Sequence, residues 1–131
     1  MELIPETDPD EDDATWGLAI NESSKSLMRF KLGAVIVKRG KVIAFGHNKA
    51  KTHPRYGSKS GFHTLHAEGD SLWTAEKLEV DVKGATMIVY RKNALNARPC
   101  KDCQRLIREA GIKRVIYTNH EQGCIRQTQG E

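Results

Sequence analysis

"GAVIVKRGKVIAFG", residues 33–46, holds two β-rich runs on either side of Arg39-Gly40. Val, Ile and Phe suit a pleated, half-buried surface, and a Gly-containing pair supplies the positive φ of a two-residue turn. The stretch therefore reads as a hairpin, and its flanks set the architecture. Upstream, "ATWGLAINESSKSL" (14–27) puts Trp16, Ala19, Ile20 and Leu27 near helical spacing, with Asp13 or Thr15 as cap. Downstream, residues 47–63 have no period and contain Pro54, Gly57 and Gly61, which predicts a long functional loop. A helix follows from about Thr64 to Leu78. "GATMIVYR" reads as a buried strand, Cys100 to Ala110 as a helix stopped by Gly111, and "KRVIYT" as a fourth strand. "CIRQT", beyond the short "NHEQG" turn, is a candidate fifth strand. The order α-β-β-α-β-α-β predicts an α/β fold, a sheet covered by helices on both faces. Trp16 and Trp73 are expected in its core.

At 131 residues the chain can bury one core without staples, and the expected division is a single domain over 14–131 behind a leader of residues 1–13. That leader carries seven acids (Glu2, Glu6, Asp8, Asp10, Glu11, Asp12 and Asp13) and no Lys or Arg, which predicts a solvated, flexible tail. The other ten of the 17 acids face all 21 Lys and Arg, a balance of +11. A body this basic suits a phosphate-bearing ligand, either nucleotide or polynucleotide. The plainer alternative is that surface lysines only maintain solubility. No stretch approaches the ~20 apolar residues of a membrane span, and no secretory signal pattern is present. A cytoplasmic location is expected. Three cysteines, two of them in a C-x-x-C, make no disulfide framework; in a cytosolic chain that spacing leans toward metal or redox chemistry.

In "TLHAEGDSLW" (64–73), His66 and Glu68 interrupt an apolar helical pattern. Positions i and i+2 point apart on the side of a helix, so both reach one site only at the helix tip. In "ARPCKDC" (97–103), Cys100 and Cys103 share a face at the start of the next helix, where Pro99 fits and the helix dipole stabilises thiolates. Two cysteines and a histidine leave the fourth position of a tetrahedral zinc open, as a catalytic site requires. The competing reading of the C-x-x-C is a thioredoxin-like redox pair. Such motifs usually enclose Gly-Pro, where this chain has Lys101-Asp102.

H-x-E followed by P-C-x-x-C resembles the zinc nucleobase deaminases. From "LGAVIV" through "IYT" the order of elements is similar to the cytidine and deoxycytidylate deaminase superfamily. The resemblance implies a three-layer sandwich with a mixed sheet of about five strands. It also implies Zn2+ on His66, Cys100 and Cys103, a zinc-bound hydroxide as nucleophile, and Glu68 as the catalytic proton shuttle. Asn48 in "GHN" would hold sugar and base. The Ala67 backbone N–H would contact the base, and a carbonyl before Pro99, from Ala97 or Arg98, would receive the exocyclic amine. A homo-oligomer is implied as well.

The expected reaction is hydrolytic deamination of a cytosine base in a free nucleotide or nucleoside, with dCMP to dUMP as the leading case. Residues 47–63 hold seven Lys, Arg or His and no acid. Lys51 and Arg55 are the candidates for a substrate phosphate, although a solvated loop would carry such charges too. Two departures from the deoxycytidylate deaminase pattern stand out. Gly69-Asp70 follows Glu68, where a bulky residue and Asn are usual, and Arg98 precedes Pro99, where Ser or Glu is common. Two other functions therefore stay open. One is a polynucleotide or tRNA base deaminase, which the basic body permits although stacking aromatics are few. The other is a non-catalytic zinc module closed by a fourth ligand such as His63 or Cys124.

Overall fold

A computed structural model describes residues 1–57 and 64–120. Among them the order is β1 (Glu2–Glu6), α1 (Ala14–Ser23), β2 (Leu32–Lys38), β3 (Lys41–His47), α2 (Ala67–Lys77), β4 (Thr86–Arg91), α3 (Lys101–Glu109) and β5 (Arg114–Thr118), with a 3-10 turn at Lys92–Ala94. The strands form one sheet in the order β1-β5-β4-β2-β3. β2 runs antiparallel to β3 and β4, while β5 is parallel to β4 and β1, so the sheet is mixed as the resemblance implied. Arg39 and Gly40 both take positive φ, 53° and 77°, and close the expected hairpin.

Alternation along the strands sorts side chains onto two faces. Ala34, Ile36, Met87, Val89 and Val115 join α2 and α3 in one cluster. Val35, Ile88 and Tyr90 meet Trp16 and Ala19 of α1 in the other. Helices thus cover both faces of the sheet, a three-layer arrangement. Trp73 is only partly buried, at the edge of the first cluster. Two glycines let helix backbone press directly on the sheet. A Cβ on Gly33 would lie 2.2 Å from Ala19 O in α1, and one on Gly46 would lie 2.5 Å from Ser71 N in α2.

The N-terminal segment departs from the expected flexible tail. Glu2–Glu6 form an edge strand in parallel register with β5, from Glu2 opposite Arg114 to Glu6 opposite Thr118. Leu3 packs on the core, and Asp13 caps α1 by accepting from the Thr15 and Trp16 N–H groups at 2.8 and 3.3 Å. The pairing partner lies at the far end of the described chain, which composition cannot reveal. Pro5 and the flanking glutamates suit an edge, where they discourage further strand addition. α1 also ends earlier than expected. The Ser23 and Ser24 hydroxyls donate back to the Ile20 and Asn21 carbonyls at 2.6 Å, which competes with helix continuation and leaves Leu27 98% exposed. The candidate strand "CIRQT" lies outside the described residues. No described helix is long and apolar enough to cross a membrane.

Candidate functional site

The N-termini of α2 and α3 meet on one side of the sheet. His66 is the N-cap of α2 and makes no side-chain cap bond to its own helix, so its ring is available to the neighbouring helix. Cys100 is the N-cap of α3, and its Sγ accepts from the Cys103 N–H at 3.5 Å. His66 Nδ1 lies 3.3 Å from Cys103 Sγ and 3.6 Å from Cys100 Sγ. All three atoms fall within 4.8 Å of one another. Tetrahedral zinc, with Zn–S near 2.3 Å and Zn–N near 2.0–2.1 Å, would separate N and S by about 3.6 Å. Imidazole and thiolate are also the donors zinc prefers, so the residues fit the metal.

Charge is divided unequally between the two sulfurs. Hydrogen bonds from the Cys103 thiol and from His66 pull the Cys100 thiol down to about 4. Donating that bond, and being buried, pushes Cys103 well above the usual thiol range. The bond to Cys100 raises His66 against the opposing effect of burial. Glu68, in the first turn of α2, is 3% exposed. Burial pushes its carboxyl above the usual carboxylate range, and His66 offsets part of that rise.

A cavity of about 450 Å³ opens at the triad. His66, Glu68 and Cys100 line it, together with Ala67. Ala97 and Arg98 line it as well. The N–H of each is already taken, Ala97 donating to Thr118 O at 2.8 Å and Arg98 to Asn96 Oδ1 at 3.0 Å, so a carbonyl is what their backbone can offer a ligand. Arg98 Nη1 also donates to the Tyr117 hydroxyl at 3.2 Å. Asn48 lines the cavity too, but its amide holds the rim: Oδ1 accepts the Leu32 N–H at 2.9 Å and Nδ2 donates to Phe30 O at 2.5 Å.

Lys51 and Arg55 are not among the residues that line this cavity. Lys51 Nζ sits 4.6 Å over the Trp73 ring, and Arg55 Nη1 pairs with Glu76 at 3.1 Å. Backbone bonds between Lys49 and Leu65, both 2.9 Å, close the loop at its base. Beyond them residues 50–57 run along the outer face of α2. Gly69 permits this, since a Cβ there would lie 2.3 Å from Tyr56 O. His63, Lys59 and Cys124 lie outside the described residues. The arginines that do line the cavity, besides Arg98, are Arg29 and Arg91, 5.5 and 4.8 Å from the Phe30 ring centroid. Sequence reasoning missed both. Arg91 carried one usable signal, as the last residue of a buried strand in an α/β sheet, where ligands gather.

The family model of the cytidine and deoxycytidylate deaminase zinc-binding region matches residues 9–119. Deoxycytidylate deaminase of Mycobacterium phage D29 is 33% identical over 129 residues, covering 83% of this chain and 94% of its own. The dCMP deaminase from cyanophage S-TIM5, in apo form, superposes with a TM-score of 0.64 at 26% identity and covers 95% of each chain. Its complex with dCMP and dUMP gives 0.60 at 25% identity, covering 95% of this chain and 96% of that one. Cytidine deaminase from Burkholderia pseudomallei is comparably similar in fold, with a TM-score of 0.63 at 25% identity, covering 82% of this chain and 84% of that one. The family match takes in the hairpin, both converging helix starts and all three members of the triad, and the chain belongs to the cytidine and deoxycytidylate deaminase zinc-binding family.

Proposed function

We propose that the protein converts dCMP and water to dUMP and ammonia. The observation that carries this reading is the meeting of two helix N-termini at one cavity, with His66, Cys100 and Cys103 at zinc spacing and Glu68 buried beside them. These three residues would hold Zn2+, which when bound supplies a Lewis acid that makes a water nucleophilic near neutral pH. The Glu68 carboxylate takes one water proton and delivers it to N3 of the ring. The second proton leaves on the amine nitrogen: a C4–O bond forms, the C4–N bond breaks and ammonia departs. Burial raises the proton affinity of the Glu68 carboxyl, which favours its taking the proton from water. The Ala67 N–H and a carbonyl of Ala97 or Arg98 orient the base. Asn48 faces the sugar, with a second lone pair on Oδ1 beyond the one given to Leu32.

Reading of the 5′-phosphate falls to Arg29 and Arg91 rather than to Lys51 and Arg55. Glu68 is the only acid lining the cavity among the described residues, and it lies at the triad. The relatedness to phage deoxycytidylate deaminases, one of them solved with dCMP and dUMP, supports the nucleotide over the nucleoside. The reading includes a cytoplasmic location and a homo-oligomer, whose mass in solution tests the latter.

Ammonia release is measured from dCMP, deoxycytidine, CMP, cytidine, adenosine and single-stranded oligonucleotides, using zinc-loaded protein. dCMP is expected to be the best substrate. Turnover confined to oligonucleotides and falling steeply with salt would replace this reading by a polynucleotide deaminase. Stoichiometric zinc with no turnover on any substrate would leave a non-catalytic zinc module.

A further inference from the structure

We infer that Asp70 is a positioning residue, through which α2 sets the far wall of the substrate cavity; the inference rests on the deaminase reading above. Asp70 is 2% exposed. Its Oδ2 accepts the His47 backbone N–H at 3.0 Å, and its Oδ1 meets Lys49 Nζ at 3.1 Å. These two partners flank Asn48, so one carboxylate pins Asn48 from both sides. Ser26 Oγ adds a third hold by donating to Asn48 O at 2.9 Å. Asn48 in turn carries the rim through Leu32 N–H and Phe30 O, beside Arg29. The chain of contacts therefore runs from the helix that bears Glu68, through Asp70 and residues 47–49, to the wall facing it. His47 is fixed independently at its ring, where Nδ1 lies 2.9 Å from Glu22 Oε1.

The carboxylate is what lets one side chain serve both partners, a backbone N–H and an ammonium. An Asn side chain would still accept the His47 N–H through its oxygen. It would then present its NH2 to the Lys49 ammonium, donor against donor. Lys49, whose side chain is 34% exposed, would turn its ammonium out to solvent and release the strand end. The Asp70 side chain bonds neither the triad nor the cavity lining except through this strand end, and its backbone N–H, which donates to His66 O at 2.9 Å in the first turn of α2, is unchanged by a side-chain substitution. Its removal should therefore loosen the wall and leave the metal in place.

The test compares zinc-loaded wild type with Asp70→Asn, Lys49→Gln and the double variant. Readouts are zinc content, Tm, kcat and KM for dCMP, and hydrogen exchange by mass spectrometry. Asp70→Asn should raise KM about tenfold, leave kcat within about threefold and keep stoichiometric zinc. Exchange should quicken over residues 26–33 and 44–50 but not over β4 and β5. Lys49→Gln should show the same pattern and serves if Asp70→Asn fails to fold. The double variant pairs amide with amide and should recover most of the KM. A fall in Tm with KM and exchange at the rim unchanged would reduce Asp70 to a fold-stabilising residue and overturn the inference. So would loss of zinc, or a double variant no better than the worse single. A wild type inactive on dCMP would refute the proposed function instead, while the exchange pattern would still decide whether Asp70 holds the rim.

Discussion

Gly46→Ala tests whether the seating of α2 on the sheet sets the metal geometry. The new Cβ would stand 2.5 Å from Ser71 N and 2.8 Å from both the Asp70 carbonyl carbon and Asp70 Oδ2. Ordinary contact begins near 3.4 Å, so α2 must lift by roughly 0.9 Å. His66 and Glu68 ride on the same end of that helix, whereas Cys100 and Cys103 ride on α3. Metal sites tolerate ligand displacements of only about 0.2 Å, and a 1 Å misplacement of reacting groups can cost about 10²-fold in rate. Overpacking of this kind destabilises by about 1–3 kcal/mol. Gly33→Ala supplies the control, because its Cβ would meet Ala19 O at 2.2 Å on the opposite face, against a helix that carries none of the triad. Zinc content and turnover per folded molecule are measured well below both midpoints, alongside thermal unfolding. Both variants should melt earlier, but only Gly46→Ala should bind zinc weakly and lose about 10²-fold in kcat/KM. Equal losses in the two variants, or full zinc and activity in Gly46→Ala, would refute the argument.

Three further outcomes are expected. Glu68→Gln should keep zinc and fold but lose ~10²–10⁴-fold or more in turnover, because an amide cannot carry the proton. In zinc-free protein the raised Glu68 carboxyl contributes stability that is full below its unfolded value near 4.5 and is lost as pH rises through the folded value. The Gln variant should therefore gain in Tm over wild type across that window and level off above it; a pH-independent difference would contradict the burial. Zinc added to metal-free protein at pH 7 should displace the Cys103 proton and part of a His66 proton, but none from Cys100, already ionised with its thiol at about 4. Calorimetry in buffers of different ionisation enthalpy reads this, and release of two full thiol protons would contradict an ionised Cys100. Arg29→Ala should lower use of dCMP relative to deoxycytidine roughly tenfold to a hundredfold, the worth of a charged hydrogen bond of ~1.5–3 kcal/mol. Lys51→Ala and Arg55→Ala should leave that ratio unchanged, and the opposite result would return the phosphate to the loop.

Elements whose causes lie within a few residues were legible in the sequence. The hairpin follows from Arg39-Gly40 between β-rich runs, and α3 from Pro99 and Gly111 at its ends. The triad was legible for the same reason, since each half is a short spacing at a helix start. What escaped depends on distant partners. β1 exists because β5 offers a parallel edge, whereas the local composition is dominated by acids around Leu3 and Ile4. The direction of residues 50–57 is decided by the Lys49–Leu65 bonds and by the space above Gly69, neither of which is a property of the loop. Arg29 and Arg91 come together around Phe30 only after β2 and β4 pair.

The pairing of β1 with β5 has a consequence for how the chain is made. Glu2–Glu6 leave the ribosome more than a hundred residues ahead of the strand they pair with, Glu2 opposite Arg114. For that interval a segment containing Leu3 and Ile4 has no partner, and a sheet completed by so distant a contact closes late in folding. An unpaired apolar strand is then exposed to other nascent chains. The dense negative charge around it, seven acids in thirteen residues, repels a second copy of the same segment, as gatekeeper residues do. The acidity that resembled the mark of a disordered tail thus protects a strand while it waits for its partner.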